Sequence, residues 1–190
     1  MRDTLRSEPG FTLVEVIVAL MMFATLAAIA VPIFKDFNDA IALGQSQRLV
    51  QTELQRARMS AVTTNHILRV RFNCPAVGQF RTVELIGTPT VPAAQDTAAN
   101  RCNTTAYPFP AADNNAVTLP NLDGPVMRID PKTSFTASQT IEFRPTGIAY
   151  TVNANGTSGT MIAGNAAITI AKGSNNKTVT VNALGKISTQ

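Results

Sequence analysis

The sequence predicts an α+β chain: one long N-terminal helix, apolar on all sides in its first half, leading into a β-rich globular head. Three observations predict it. No charged side chain occurs from Val16 to Ile33. From Phe34 to Thr64 apolar residues recur at helical spacings of three, four and seven. From His66 onward the chain breaks into short alternating runs rich in Val, Ile and Thr, separated by Gly, Pro and Asn.

The apolar run is long enough to cross a bilayer core, which takes about 20 residues, and a helix is the one single segment that satisfies its own backbone in lipid. Its only polar side chain is Thr25, whose hydroxyl can bond back to its own helix. Glu15 stands at the edge of the span, where a carboxylate needs a partner. A secretory signal places its small-residue cleavage site after the apolar core. Here the break, Pro9-Gly10, comes before it.

Beyond Phe34 the stripe Phe34, Phe37, Ile41, Leu43, Val50, Leu54, Ala57, Ala61 faces a core, with Lys35, Asp36, Arg48, Glu53, Arg56 and Arg58 mostly off it. One helix over about Phe11 to Thr64 spans roughly 80 Å at 1.5 Å per residue. Pro32 and Gly44 are its expected weak points, and Asn65 its expected end.

In the head, His66–Phe72 reads as a strand with Leu68, Val70 and Phe72 on one face and Ile67, Arg69 and Arg71 on the other. Phe80–Ile86 is its hairpin partner across the turn Cys74–Gly78. Gly87–Gly124 is Pro-rich and loses periodicity, apart from Tyr107, Phe109 and a short run at Val117–Leu119, and reads as an insertion. Strands return at Val126–Ile129, Thr140–Phe143, Ile148–Val152, Ala167–Ala171, Thr178–Val181 and Lys186–Ser188, with a loop tip at Asn153–Gly159.

Pro9-Gly10-Phe11-Thr12-Leu13-Val14-Glu15 resembles the processing site of type IV pilins and type II secretion pseudopilins. The resemblance implies a type IV pilin fold, cleavage after Gly10 by a prepilin peptidase, and methylation of the new amine on Phe11. It also implies that the apolar helix becomes the assembly core of a filament, with Glu15 as the residue that engages neighbouring subunits. Phe143-Arg144-Pro145-Thr146-Gly147, followed by Val179–Ile187, is similar to the GspH/FimT/FimU branch of minor pilins, in which a Pro-x-Gly turn precedes a C-terminal hairpin closed by a Gly-basic-apolar strand. The expected segments are a cleaved leader at 1–10, a membrane or filament-core helix at 11–34, an amphipathic continuation at 35–65 and a head at 66–190 carrying the insertion at 87–124.

Arg2 and Arg6 precede the span and hold that end in the cytoplasm, which puts the head in the periplasm of an inner-membrane, single-pass protein, and at the cell surface once in a pilus. Cys74 and Cys102 fit that oxidising compartment as a disulfide. The bridge would close about 29 residues and contribute roughly 3.5 kcal/mol on the chain-entropy account. The alternative is two free buried thiols.

The net charge is +4. Removing Arg2, Arg6, Asp3 and Glu8 from the 16 basic and 12 acidic residues leaves 14 and 10, a mild excess. There is one histidine, His66, and no Cys pair at metal-ligand spacing, phosphate loop or nucleophile motif. The expectation is an interaction protein without cofactor or metal, not an enzyme, whose partners are other pilins, the prepilin peptidase and the inner membrane. It reads as a minor pilin that primes or caps a type IV pilus. The alternatives are a secretion pseudopilin and a DNA-binding minor pilin of natural transformation. FimT-type DNA sites resemble a C-terminal Gly-Arg-x-Arg turn, whereas Gly185-Lys186-Ile187-Ser188 has Lys first and lacks the second basic residue. The DNA candidates are therefore Lys186 with Arg69, Arg71 and Arg81 on one strand face, set against the plainer reading of a solvated charged face.

Overall fold

A computed structural model describes residues 10–93, 96, 101–110, 122–153 and 159–190. One helix, α1 (Leu13–Thr64), precedes ten strands: β1 (Leu68–Phe72), β2 (Gln79–Glu84), β3 (Val126–Arg128), β4 (Ser134–Ala137), β5 (Thr140–Phe143), β6 (Ala149–Val152), β7 (Gly159–Met161), β8 (Asn165–Lys172), β9 (Asn175–Asn182) and β10 (Ile187–Thr189). The expected combination of a long N-terminal helix with antiparallel sheets is what the chain adopts. The expected leader, residues 1–9, lies outside the described residues, as does the run Val117–Leu119.

The chain divides into two units, Met1–Ala40 and Ile41–Gln190. In the first, the described residues are 10–12 and the apolar first half of α1, and from Phe11 to Val31 each is exposed. Phe34 and Phe37 are exposed too, at 66% and 61%, so they do not join the core stripe as expected; burial begins at Ala42. The helix is continuous past Pro32 and Gly44. A Cβ on Gly44 would stand 3.6 Å from the Lys177 ammonium, so this glycine marks a close approach of β9 to the helix. Asn65 adopts φ 59°, the left-handed cap that ends α1.

In the second unit, Leu43, Val50, Leu54, Ala57 and Ala61 pack into one core with Leu68, Val70, Phe80, Ile141 and Phe143 of one sheet and Ile168, Ile170, Val179 and Val181 of the other. Two polar residues share this helix face and are satisfied within it. Gln47 Nε2 donates to the carbonyls of Thr178 (2.9 Å) and Gln190 (3.0 Å). Ser46 Oγ accepts from the Asp130 amide at 3.2 Å. These bonds dock the chain terminus and the β3–β4 turn onto the helix.

The larger sheet has the order β3-β2-β1-β5-β6-β7 and the smaller β10-β9-β8-β4. All pairings are antiparallel, and β1 and β2 form the expected hairpin with Arg71 opposite Arg81. The expected strands appear within a residue or three of their predicted ends. Two strands, β4 and β7, were not expected. Both are short, and β4 is interrupted by a register shift between Phe135 and Ala137. Cys74 and Cys102 form a disulfide, which ties the β1–β2 turn to the Pro-rich segment.

Candidate functional site

The N-terminal residues singled out by the sequence sit at the mouth of α1. Gly10, Phe11 and Thr12 lie outside the helix and are exposed. The Gly10–Phe11 peptide therefore lies outside the helical hydrogen-bond ladder. Thr12 is the N-cap: its Oγ1 accepts the Glu15 amide at 3.3 Å and its carbonyl accepts the Val16 amide at 3.2 Å. Thr12-x-x-Glu15 is the spacing of a capping box, a signal present in the sequence and missed in its reading. Glu15 is exposed in the first helical turn, at the positive end of the helix dipole. Inside the span, Thr25 Oγ1 donates to the Met22 carbonyl at 2.9 Å, as anticipated.

The C-terminal motif is a pair of turns clamped by the helix. Gly147 (φ 78°) closes the turn after β5, donating its amide to the Arg144 carbonyl at 2.8 Å. Gly185 (φ 71°) closes the turn after β9, with its amide on the Asn182 carbonyl at 2.9 Å. Arg58 joins them: Nε donates to the Gly147 carbonyl at 3.3 Å and Nη2 to the Leu184 carbonyl at 3.0 Å. The Ala149 amide also donates to the Ala183 carbonyl at 2.9 Å. The sequence singled out both turns but not Arg58, because nothing local pairs a helix residue with turns 89 and 126 positions away. Lys186 is exposed beside this clamp.

Arg69 and Arg71 stand elsewhere, and here the sequence reading is corrected. They are 0% and 3% exposed, and Arg81 is 1% exposed. Neither a nucleic-acid patch nor a solvated face forms, because the Pro-rich segment covers this side of the larger sheet. It brings Asp96, Arg101 and Tyr107, all buried, onto the strands. Arg69 bonds Glu142 Oε2 through Nε (3.0 Å) and Asp96 Oδ2 through Nη1 (2.9 Å). Arg101 bonds Asp96 Oδ1 and the Glu84 carbonyl through Nη1 (2.8 and 2.7 Å), pairs with Asp123 through Nη2, and lies 5.0 Å over the Tyr107 ring. Arg81 bonds the Gly124 carbonyl at 2.7 Å and stands 3.7 Å from Asp123. Arg144 bonds Glu142 Oε1 at 2.9 Å and stacks on Tyr150.

Desolvation dominates the titration of this layer. It raises the carboxyls of Asp96 and Asp123 above their usual range against the pull of the arginines, chiefly Arg101. It lowers Arg81, and takes Arg71 down to about 10, with Asp96 working against it and Arg69 with it. His66, at the junction of α1 and β1, holds Glu84 Oε1 through Nδ1 at 2.5 Å instead of standing free. No group of three or more His, Cys, Asp or Glu side chains among the described residues could hold a metal ion.

Residues 5–31 match the family described as the prokaryotic N-terminal methylation motif. The match covers Pro9–Glu15 and most of the apolar run that follows. No curated protein matches the chain in sequence. A solved structure, the type IV minor pilin FimU of Pseudomonas aeruginosa, aligns over 81% of this chain and 92% of its own at 10% identity and a TM-score of 0.46. That likeness is too distant to assign residue roles.

Proposed function

We propose that the chain is a minor pilin of a type IV pilus, cleaved after Gly10, methylated on Phe11 and assembled with other pilins through the apolar half of α1. The observation that carries the reading is the methylation motif at residues 5–31, which runs from residue 13 onward along a helix whose apolar residues stay exposed while the head has a core of its own. An apolar helix of this length with exposed side chains needs lipid or other helices around it. The motif supplies both in turn: membrane before assembly, filament after. The head then lies on the periplasmic side, where the Cys74–Cys102 bridge persists. Its place in the filament is that of an initiating or capping subunit among more abundant pilins.

The DNA-binding alternative loses support, since Arg69, Arg71 and Arg81 are buried and Lys186 is left without them. Mass spectrometry of membrane-extracted protein tests the proposal. The expected chain begins at methylated Phe11. A chain that keeps residues 1–10 in cells with an active prepilin peptidase would overturn it.

A further inference from the structure

The last turns of α1 and the turn after β9 border an open cleft of about 400 Å³, whose lining includes Gln55, Arg58, Met59, Leu184, Lys186 and Ile187. Gln55, Met59 and Val62 follow one another at spacings of four and three on one face of the helix, and all three are exposed. Met59 is 67% exposed, Val62 47% and Leu184 73%. Val62 borders the Arg58 clamp: a Cβ on Gly147 would stand 3.5 Å from Arg58 Nη2 and 3.7 Å from Val62 Cγ2. Leu184 sits in a turn that favours small polar residues, and the turn is fixed. The Gly185 amide bonds the Asn182 carbonyl at 2.9 Å, the Asn182 amide the Lys186 carbonyl at 3.1 Å, and the Lys186 amide Asn182 Oδ1 at 2.8 Å. Arg58 Nη2 holds the carbonyl of Leu184 itself. An apolar side chain is thus held out in water on a rigid support.

The charge at this cleft has one sign. Its lining holds Arg58 and Lys186 and no acid. Arg58 is engaged by the two turns, whereas the Lys186 ammonium makes no ion pair among the described residues. The described surface of the head shares this bias. Glu84, Asp96, Asp123 and Glu142 are buried, and Glu53 and Asp130 half-buried. No Asp or Glu side chain among the described residues from Ile41 onward is exposed, while Arg48, Arg56, Arg128, Lys132 and Lys186 are. The buried arginine layer draws carboxylates inward and leaves cations outside.

We propose that this cleft docks the head of a different pilin subunit, one that presents a surface carboxylate beside an apolar side chain. The carboxylate meets Lys186, and the apolar side chain packs among Met59, Val62 and Leu184. The kind of partner rests on the filament reading. Charge complementarity sets the choice of occupant. A second copy of this chain has no exposed Asp or Glu to offer among its described residues. Nucleic acid is matched by several cations along its phosphates, not by one free ammonium among apolar side chains. Because Arg58 already fixes both turns, little ordering remains to be lost on docking.

The test uses the full chain in its own cells, with the other pilins present. A photoactivatable benzophenone amino acid is placed at Gln55, on the rim of the cleft, and separately at Leu20, in the apolar half of α1. Mass spectrometry maps the adducts. Gln55 is expected to capture the head of another pilin next to a surface Asp or Glu. Lys186→Glu should lower that capture about tenfold or more, since it sets like charges together, and should leave the Leu20 adducts unchanged. Replacing the mapped carboxylate by Lys should restore capture by Lys186→Glu. Leu184→Ser gives a second reading by removing the apolar contact, and should also lower capture at Gln55. Capture at Gln55 that neither variant lowers overturns the proposal, as does a Gln55 adduct with a second copy of this chain or with DNA. Leu20 adducts without any at Gln55 overturn the docking cleft and leave the filament reading standing. Adducts at neither position overturn both.

Discussion

At Gly185 the backbone turns through φ 71°, and a Cβ there would run into the Gly147 carbonyl and stand 2.6 Å from Arg58 Nε. Both effects oppose any side chain. Gly185→Ala is expected to destabilise the head by about 2 kcal/mol or more, through left-handed strain and displacement of the Arg58 clamp; chemical denaturation measures it. Sequence alone shows that a glycine closes a turn here. That the turn also touches Gly147 and Arg58 is a long-range fact with no local trace. Arg69 and Arg71 teach the same point from the other side. Their alternation with Leu68 and Val70 was legible, but alternation says which residues share a face, not whether that face meets water. Glu15 is the opposite case, legible in position and accompanied by a cap. Its amide is held by Thr12 Oγ1, which a substitution at position 15 leaves in place. Glu15→Val is therefore expected to keep its helix and its membrane level while losing capture of partner pilins. Co-purification at equal membrane abundance checks this, and undiminished capture would refute the assembly role.

Among the elements, the Pro-rich segment departs most from its sequence reading. Loss of periodicity correctly marked it as lacking strands of its own in its described parts, and Cys102 correctly marked where it is fastened. What periodicity cannot report is that such a segment folds back with its charges inward. Arg101 is the centre of that contact, bridging Asp96 and Asp123 and capping the Glu84 carbonyl. Removing one member of a buried ion network leaves its partners uncompensated and typically costs 3–5 kcal/mol. Arg101→Met is expected to destabilise the head by about that amount, whereas Arg71→Met, which breaks no ion pair among the described residues, is expected to be neutral or stabilising. Urea titration of the two variants distinguishes them, and equal losses would mean that the arginines act as one undivided charge layer. The raised carboxyls add a pH signature. Folded-state values above the unfolded ones mean that Asp96 and Asp123 favour folding most below the ordinary carboxylate range, and that this contribution is lost as pH rises through their raised values. The strands were legible wherever β-branched residues alternate over four positions or more. The three-residue β7 and the bulged β4 give too short a pattern to read.

For the molecule as a whole, the separation of anchor from head follows from where burial begins. The sequence places the change at Phe34, where charged residues first appear between the apolar ones. The structure places it at Ala42, since Phe34, Phe37 and Ile41 remain exposed although they lie at core spacing. Periodicity identifies a stripe; it cannot tell where along a continuous helix the head first meets it. Every residue of the core cluster lies at or beyond Leu43. Hydrophobic stabilisation follows the apolar area removed from water, and none of the described residues before Ile41 is a member of that core. A chain lacking residues 1–40 is therefore expected to be soluble without detergent, to retain the Cys74–Cys102 bridge, and to unfold cooperatively within a few degrees of the full-length protein in detergent. Circular dichroism of the truncated chain under oxidising conditions is the measurement. A head that fails to fold alone would show that the exposed half of α1 stabilises it by a route absent from its packing, and the division of labour between an assembling helix and a self-sufficient head would have to be abandoned.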